Sequence, residues 1–303
     1  MLTADQVDAF THDGIVVLPD LFTEAELEAF RAEADAIALL SVGATVALGK
    51  RHPRLDAKLH HDGRLTLRKV QPVNDLSPLL ASIAFDERLI APIRQLIGDE
   101  PVLMEEKLNY KQTLDTQHLD LSGIANSALM RSPGSGIEGF ALHHDWGYYR
   151  QQGYPEDTLS SAVTIDDCAG RGPIRVALGS HSRDVELADP DPASGLGIVA
   201  PGQFGEDDLT EINATAGSVL VFHSKLVHDS LPNPTESPRR LMIYSHYPKS
   251  FGGDDADRRN GGTRAYAQEF EHRYRQMVAA GEAQELRWAD VSQPASAHLD
   301  VSR

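Results

Sequence analysis

The residues best suited to chemistry in this sequence are histidines followed two positions later by aspartate. This spacing occurs four times, at His60/Asp62, His118/Asp120, His143/Asp145 and His298/Asp300. Residues two apart on a β-strand leave the same face, so each pair could offer an imidazole beside a carboxylate. With a second histidine, such a pair forms the set that holds non-heme Fe(II) and leaves open positions on the metal. The spacing alone is weak evidence, because ordinary hydrogen-bonded pairs also have it.

The surrounding sequence favours His143/Asp145. The first two pairs lie in polar, irregular stretches and the last lies in the terminal tail, whereas residues 139–146 predict a strand with flanking aromatic residues. A metal site needs ligands held in place to a fraction of an ångström, which favours a regular element. Downstream, the segment 217–230 predicts a turn and a buried strand, and it contains both His223 and His228. The residues themselves do not decide which of these two histidines would be the third ligand.

The elements that position these residues fall into two groups. The first 100 residues predict mainly helices, with capping-box spacings at Thr3/Gln6 and Thr23/Glu26 and a proline in the first turn after Ser77. Apolar spacing predicts that the second helix ends near residue 38, that 41–66 is a loop, and that 77–98 is one further helix. From Val102 onward, short segments separated by turn residues predict strands near 102–110, 138–146, 159–166, 174–178, 196–199, 218–223 and 239–247.

This order predicts a mainly β fold with flanking helices, a double-stranded β-helix or cupin-like jelly roll. We expect one domain over 1–303, with a helical flank at 1–100, a jelly-roll core at 102–248 and a C-terminal loop and helix at 249–303. The polar stretch 112–136 is longer than an ordinary strand connection and predicts a lid that closes over the site.

Composition and charge exclude several classes of function. The 45 acidic residues exceed the 28 basic ones and give a net charge of −17, which disfavours nucleic acid and anionic membrane surfaces as partners. The single Cys168 excludes thiolate-rich metal sites and internal disulfides. The first residues lack a signal-peptide pattern, and no apolar run is long enough to span a bilayer, so we expect a soluble cytoplasmic protein. The neighbouring Glu105 and Glu106 predict a solvated strand edge.

Several landmarks in order along the chain resemble one enzyme family. They are His143-His144-Asp145, Gly172-Pro173, Gly179-Ser180-His181, Phe222-His223, His228-Asp229-Ser230, Asn233 and Arg239. In this order they are similar to the phytanoyl-CoA dioxygenase family of iron- and 2-oxoglutarate-dependent oxygenases, to which ectoine hydroxylase also belongs. The opening helix, short strand and second helix also resemble the N-terminal region of that family.

The resemblance implies a role for individual residues. His143, Asp145 and His228 match the iron ligands, and Arg239 matches the arginine that pairs with the distal carboxylate of 2-oxoglutarate. Ser230 matches a serine that can bind the same carboxylate. Weaker matches to cosubstrate contacts fall at Lys69, Lys107 and Asn109. Three residues depart from the usual pattern: His144 replaces glutamine, Asp229 replaces glycine, and Lys107 replaces an apolar residue of some relatives.

An arginine suits a dicarboxylate because its planar fork donates two parallel hydrogen bonds to one carboxylate. Arg239 and Arg240 begin the same predicted strand, so one points inward and the other outward, and alternation does not say which. The family spacing favours Arg239.

The resemblance implies an Fe(II)-, 2-oxoglutarate- and O2-dependent dioxygenase that hydroxylates a small molecule and releases succinate and CO2. Asp145 disfavours halogenation, for which the related enzymes have a small residue at that position. Two other functions remain open on the residues alone, a metal-dependent hydrolase or isomerase on a cupin-like barrel and a non-catalytic binding protein. The sequence predicts neither the substrate nor the oligomeric state, and it does not distinguish hydroxylation from desaturation, epoxidation or ring formation.

Overall fold

The computed structural model describes residues 1–60, 62–121, 139–188, 197–252 and 257–292, with the side chains of 257–259 excepted. Its helices are α1 (Ala4–Asp13), α2 (Glu24–Leu48), α3 (Pro78–Ile83), α4 (Glu87–Ile97), α5 (Trp146–Tyr149), α6 (Asp257–Ala279) and α7 (Trp288–Val291). Its strands are β1 (Ile15–Leu18), β2 (Leu55–Leu59), β3 (Leu65–Val70), β4 (Pro101–Leu114), β5 (Phe140–His143), β6 (Leu159–Thr164), β7 (Ile174–Val176), β8 (Thr210–Ile212), β9 (Val219–His223), β10 (His228–Ser230) and β11 (Leu241–Pro248).

The strands form two antiparallel sheets. The larger has seven strands in the order β1-β9-β6-β11-β4-β3-β2, and the smaller has four in the order β5-β10-β7-β8. Strands distant in sequence alternate as neighbours, as they do in a jelly roll. The predicted fold class is therefore confirmed.

Two apolar layers hold these parts together. One layer lies between the helices and the large sheet and includes Phe30, Leu89 and Met242. The other lies between the two sheets and includes Ile174 from β7 and Leu241 from β11. Helix α2 packs against α6 and β3, and α4 packs against β4, β11 and β6, so the helices cover the outer face of the large sheet.

The predicted start of α2 is correct, but its predicted end is wrong. Thr23 and Glu26 form the expected capping box, which typically contributes about 1 kcal/mol to helix stability. The helix continues to Leu48 through a stretch predicted as loop, because Val42 and Ala44 are buried there. The buried hydroxyls of Ser41 and Thr45 donate to carbonyls four residues earlier, so they find partners inside the helix.

Other boundaries also differ from the prediction. The helix expected over 77–98 is interrupted, because Asp86 caps a new helix by accepting a hydrogen bond from the Arg88 amide. The strand expected over 138–146 ends at His143, and the chain then enters α5. Strands β2, β8 and β10 were not predicted. β2 lies inside the stretch 41–66 that the sequence predicts as a loop, and β8 and β10 have only three residues each. Residues 198 and 199 form only isolated bridges.

Candidate active site

Three elements place His143, Asp145 and His228 together. His143 ends β5, His228 begins β10, and the two residues are direct partners in the antiparallel register. Asp145 lies one residue before α5, where the chain has left the strand. His143 and Asp145 were expected to share a face because they are two residues apart on one strand. The side chains do lie together, but strand alternation is not the cause. The turn into α5 brings the carboxylate round to the two imidazoles.

The geometry of the three side chains suits a metal ion. One ligand atom from each residue lies within 4.8 Å of the others, and the group includes no other histidine or carboxylate from the described chain. The Nδ1 atom of His143 lies 2.7 Å from the Ala141 carbonyl, and that of His228 lies 2.9 Å from the Leu226 carbonyl. Each ring therefore donates through Nδ1 and presents Nε2 as a free ligand atom.

The electrostatics also suit a cation. Burial, and after it the neighbouring His228, lowers the pKa of His143 to about 3. Burial alone would raise the pKa of Asp145, but Lys107, His228 and His143 hold it below its ordinary value. A neutral imidazole and an ionised carboxylate are the forms that bind metals.

The other candidate pairs that the structure describes do not belong to this group. His60 bonds to Thr66 and Asp62 pairs with Arg64, outside the group described above. The pair at 298 and 300 lies outside the described residues. His223 is also outside the group: its ring lies beside that of His181, with the centroids 5.4 Å apart, and it accepts a hydrogen bond from the Lys225 amide.

A cavity of about 110 Å³ lies between the two sheets and opens onto this group. Its wall includes every predicted site residue, namely Lys69, Lys107, Asn109, His143, Asp145, His228, Ser230 and Arg239. The structure therefore brings together the whole set that the resemblance implied, although the residues are separated by up to 170 positions in the chain.

Arg239 lies in the cavity wall with almost no partners. The side chain is 1% exposed, and its one hydrogen bond goes from Nη2 to the Gly172 carbonyl at 2.9 Å. Its Nε has no acceptor among the described residues. Burial lowers the pKa of Arg239 to about 10. Gly172 has a φ of +74°, and a Cβ there would meet the Leu231 carbonyl at 2.4 Å, so this close approach requires glycine.

Arg240 points to the opposite side of the same segment. Its guanidinium group donates two hydrogen bonds to Asp166, from Nε to Oδ2 at 2.8 Å and from Nη2 to Oδ1 at 3.0 Å. Its Nη1 donates to Asp35 on α2 at 2.6 Å. Burial would lower the pKa of Arg240, but these two carboxylates raise it above its ordinary value. Of the two arginines, only Arg239 faces the cavity.

Two further polar atoms in the cavity wall have no partner. The Ser230 hydroxyl and the Asn109 side-chain oxygen are both buried and lack a hydrogen bond among the described residues. Buried polar groups are usually paired, so unpaired ones that converge on a cavity indicate a place for a polar ligand.

The departures from the family pattern have local explanations. Asp229 pairs with Arg175 through both oxygens, at 2.9 and 2.6 Å, which ties β10 to β7. His144 is buried and accepts a hydrogen bond from the Gly147 amide at 3.1 Å. Neither residue belongs to the group of three.

The prediction of a solvated edge at Glu105 and Glu106 is wrong. These side chains are 1% and 2% exposed, because β4 is an inner strand of the large sheet and both of its faces are covered. Glu105 lines the cavity, and Glu106 pairs with Arg264 on α6 at 2.8 Å. Residues 103–106 of β4 are all buried, which two neighbouring acidic residues in the sequence do not indicate.

The fold is a jelly roll, and its three candidate ligands have the composition of a 2-His-1-carboxylate metal site. The sequence pattern described as Phytanoyl-CoA dioxygenase (PhyH) matches residues 10–241, more than half of the chain. The chain belongs to this family. It is an Fe(II)- and 2-oxoglutarate-dependent dioxygenase, which confirms the class predicted from the sequence over a cupin-like hydrolase or a non-catalytic protein.

Particular relatives agree with this assignment. The chain is 25% identical over 270 residues to the ectoine dioxygenase of Bordetella parapertussis, covering 80% of this chain and 75% of that one. The apoform of EctD from S. alaskensis superposes with a TM-score of 0.57 at 23% identity, covering 82% of this chain and 78% of the other. The alpha ketoglutarate dependent epimerase SnoN from nogalamycin biosynthesis superposes with a TM-score of 0.56 at 20% identity, covering 84% and 87%. At these identities the structural likeness shows the fold.

Among the described residues, no helix combines the length and the apolar character needed to cross a membrane.

Proposed function

We propose that this protein hydroxylates a small molecule, with His143, Asp145 and His228 as the iron ligands and Arg239 as the anchor of 2-oxoglutarate. The observation that supports the proposal is a single cavity whose wall contains both the candidate iron ligands and the candidate anchor of 2-oxoglutarate. It holds three converging ligand atoms and a buried guanidinium that has no carboxylate partner among the described residues.

The donor set fits Fe(II). Two imidazole nitrogens and one carboxylate oxygen on one side of a cavity leave the other side of an octahedral metal open. When bound, Fe(II) and 2-oxoglutarate together activate O2 for oxidation of a substrate C–H bond, with release of succinate and CO2. The chain itself contributes the orientation of the ligands and a site from which bulk water is largely excluded.

The far end of the cavity fits a carboxylate. Arg239 has a donor without an acceptor, and Ser230 and Asn109 offer further polar atoms nearby in the same wall. A carboxylate placed there would convert a buried unpaired charge into a charge-assisted pair, which is worth more in a buried site than in water. Lys69 and Lys107 also line the cavity and are further candidates for cosubstrate contacts.

The remaining wall supports a small organic substrate. Phe140, Tyr148 and Ile174 supply apolar surface beside the polar groups. The net charge of −17 disfavours a polyanion. The curated relatives named for ectoine make ectoine the first compound to test, without deciding the substrate of this chain.

Anaerobic titration with Fe(II) and 2-oxoglutarate tests the site. We expect a weak visible charge-transfer band that needs both components, and its absence would refute the proposal. With O2, stimulated release of succinate across a panel of small molecules that includes ectoine would identify the substrate.

Three further expectations remain proposals. We propose a single domain over 1–303 and a cytoplasmic location. The lid predicted over 112–136 falls mainly outside the described residues. Within the described part, β4 continues to Leu114 and Thr116 bonds to the Gly63 carbonyl, so the first residues of this stretch are tied to the sheet. Limited proteolysis with and without substrate would test the lid.

A further inference from the structure

A row of buried polar side chains crosses three neighbouring strands of the large sheet next to Asp145. In the antiparallel register, Ser245 on β11 lies opposite Glu105 on β4 and opposite Ser160 on β6. The two serines are 0% exposed and Glu105 is 1% exposed. Buried polar side chains need partners, and these find them in one another.

The contacts form a continuous chain that ends on the carboxylate of Asp145. Ser160 Oγ lies 3.3 Å from Asp145 Oδ2 and 2.9 Å from Ser245 Oγ. The Tyr149 hydroxyl lies 3.1 Å from Ser245 Oγ and 3.3 Å from Glu105 Oε1. The same Glu105 oxygen is held by the Lys107 ammonium.

The number of protons gives this chain a direction. Each hydroxyl has one proton to donate, and an ionised carboxylate only accepts. If Ser160 donates to Asp145, then Ser245 must donate to Ser160 and Tyr149 to Ser245. If Tyr149 instead donated to Glu105, Ser245 could give its one proton to either Tyr149 or Ser160, and the orientation of the Ser160 hydroxyl toward Asp145 Oδ2 would no longer be fixed. Because Lys107 already supplies a donor to Glu105, the chain is free to run toward Asp145.

We propose that Ser160 is a positioning residue for the metal site, and that Ser245 and Tyr149 orient its hydroxyl. By holding Oδ2, Ser160 fixes the rotation of the Asp145 carboxylate so that Oδ1 faces the side of His143, whose Nε2 lies 3.8 Å away. Partners of this kind typically change metal affinity or activity by about 10–100-fold when they are removed. The inference rests on the proposed role of Asp145 as a metal ligand.

The neighbouring serine provides a matched control. Ser161 is also on β6 and also 0% exposed, but its hydroxyl bonds to the Tyr244 carbonyl at 3.3 Å, on the other face of the sheet. Replacing either serine by alanine removes the same atom from the same buried strand. Only Ser160→Ala removes a contact to Asp145.

The test measures binding of Co(II), used as a spectroscopic probe for Fe(II), without 2-oxoglutarate. We expect Ser160→Ala to weaken Co(II) binding about 10–100-fold and to alter its visible spectrum, and Ser161→Ala to change the affinity less than about threefold. Ser160→Thr keeps the hydroxyl and should restore both the affinity and the spectrum. Tyr149→Phe, two links further from the metal, should show a smaller loss than Ser160→Ala. Thermal unfolding of the two alanine variants checks that they lose similar stability.

Each outcome decides the inference. Co(II) binding by Ser160→Ala that matches Ser161→Ala would overturn the positioning role. Loss of binding in a folded Ser160→Thr as large as in Ser160→Ala would also overturn it, since packing and not the hydroxyl would then be responsible. Failure of the wild-type protein to bind Co(II) would overturn the proposed metal site as well, which separates the two failures.

Discussion

The two buried arginines on opposite faces of the large sheet have different environments. On the face toward the helices, Arg240 forms ion pairs with Asp166 and Asp35. Glu106 forms an ion pair with Arg264 on the same face. On the face toward the cavity, Arg239 has only the Gly172 carbonyl and leaves Nε without an acceptor among the described residues. An unpaired buried polar group costs about 1–3 kcal/mol. The fold leaves a buried arginine short of acceptors where a ligand can relieve the cost, and pairs the neighbouring arginine where only packing is involved.

The largest effect on activity is expected when a candidate metal ligand is removed. His143→Ala, Asp145→Ala and His228→Ala should each abolish turnover and the retention of iron, because two ligands hold the metal much more weakly than three. Iron content after gel filtration and succinate release measure the effect. The matched control is His223→Ala, which should keep its iron. If His223→Ala loses iron while His228→Ala keeps it, the wrong histidine has been chosen.

The next effect is on the cavity face. Arg239→Ala should weaken 2-oxoglutarate binding by about 2–4 kcal/mol, or roughly 30- to 1,000-fold, because a charge-assisted pair is lost. Anaerobic titration of the 2-oxoglutarate charge-transfer band measures this. Stability without ligand should change little, since Arg239 has one protein partner to lose. An unchanged affinity for 2-oxoglutarate would place its carboxylate elsewhere.

The same substitution on the helix face should give the reverse result. Arg240→Ala leaves Asp166 and Asp35 without their main partner and should lower the free energy of unfolding by about 3 kcal/mol, at the lower end for a broken buried pair. The side chain of Asp35 is 34% exposed, and this exposure reduces the expected loss of stability. Urea unfolding measures the change, and 2-oxoglutarate affinity serves as the control. A larger loss of affinity in Arg240→Ala than in Arg239→Ala would invert the assignment of the two faces.

A smaller effect on the helix face depends on pH. Burial lowers the pKa of His246 to about 4, from 6.5 in an unfolded chain. Between these values the unfolded state holds one more proton, so the free energy of unfolding falls on acidification by about 1.4 kcal/mol per pH unit, or about 2 kcal/mol at pH 5. His246→Leu should remove this part of the loss. Urea unfolding at pH 7 and pH 5 in a chelator would measure it, and an equal loss in both proteins would contradict it.

Part of this arrangement could be predicted from the sequence because it depends on local order along the chain. The motif His143-x-Asp145, the later His228 and the spacing to Arg239 pointed to one family, and turn residues between short apolar runs pointed to a jelly roll. The structure puts all four side chains in one cavity.

The rest depends on which strands become neighbours. Glu105, Ser160 and Ser245 lie in one row because β4, β11 and β6 are adjacent and in register, and nothing local marks these residues. The burial of Glu105 and Glu106 follows from the inner position of β4, which strand-by-strand periodicity does not reveal. The length of α2 was underestimated because serine and threonine are typical of loops. The sequence does not show that the hydroxyls of Ser41 and Thr45 donate to carbonyls of the same helix.

The cavity is built from both sheets, and this has a mechanical consequence. The histidines belong to β5 and β10 of the small sheet, whereas Arg239 leads into β11 of the large sheet. A dicarboxylate held by the metal at one end and by Arg239 at the other would link the two sheets, which also contact each other through apolar side chains. The distance between the two sheets would then determine the length of dicarboxylic acid that can bind, without a dedicated specificity residue. Binding of the acid would also make the packing of the two sheets more rigid.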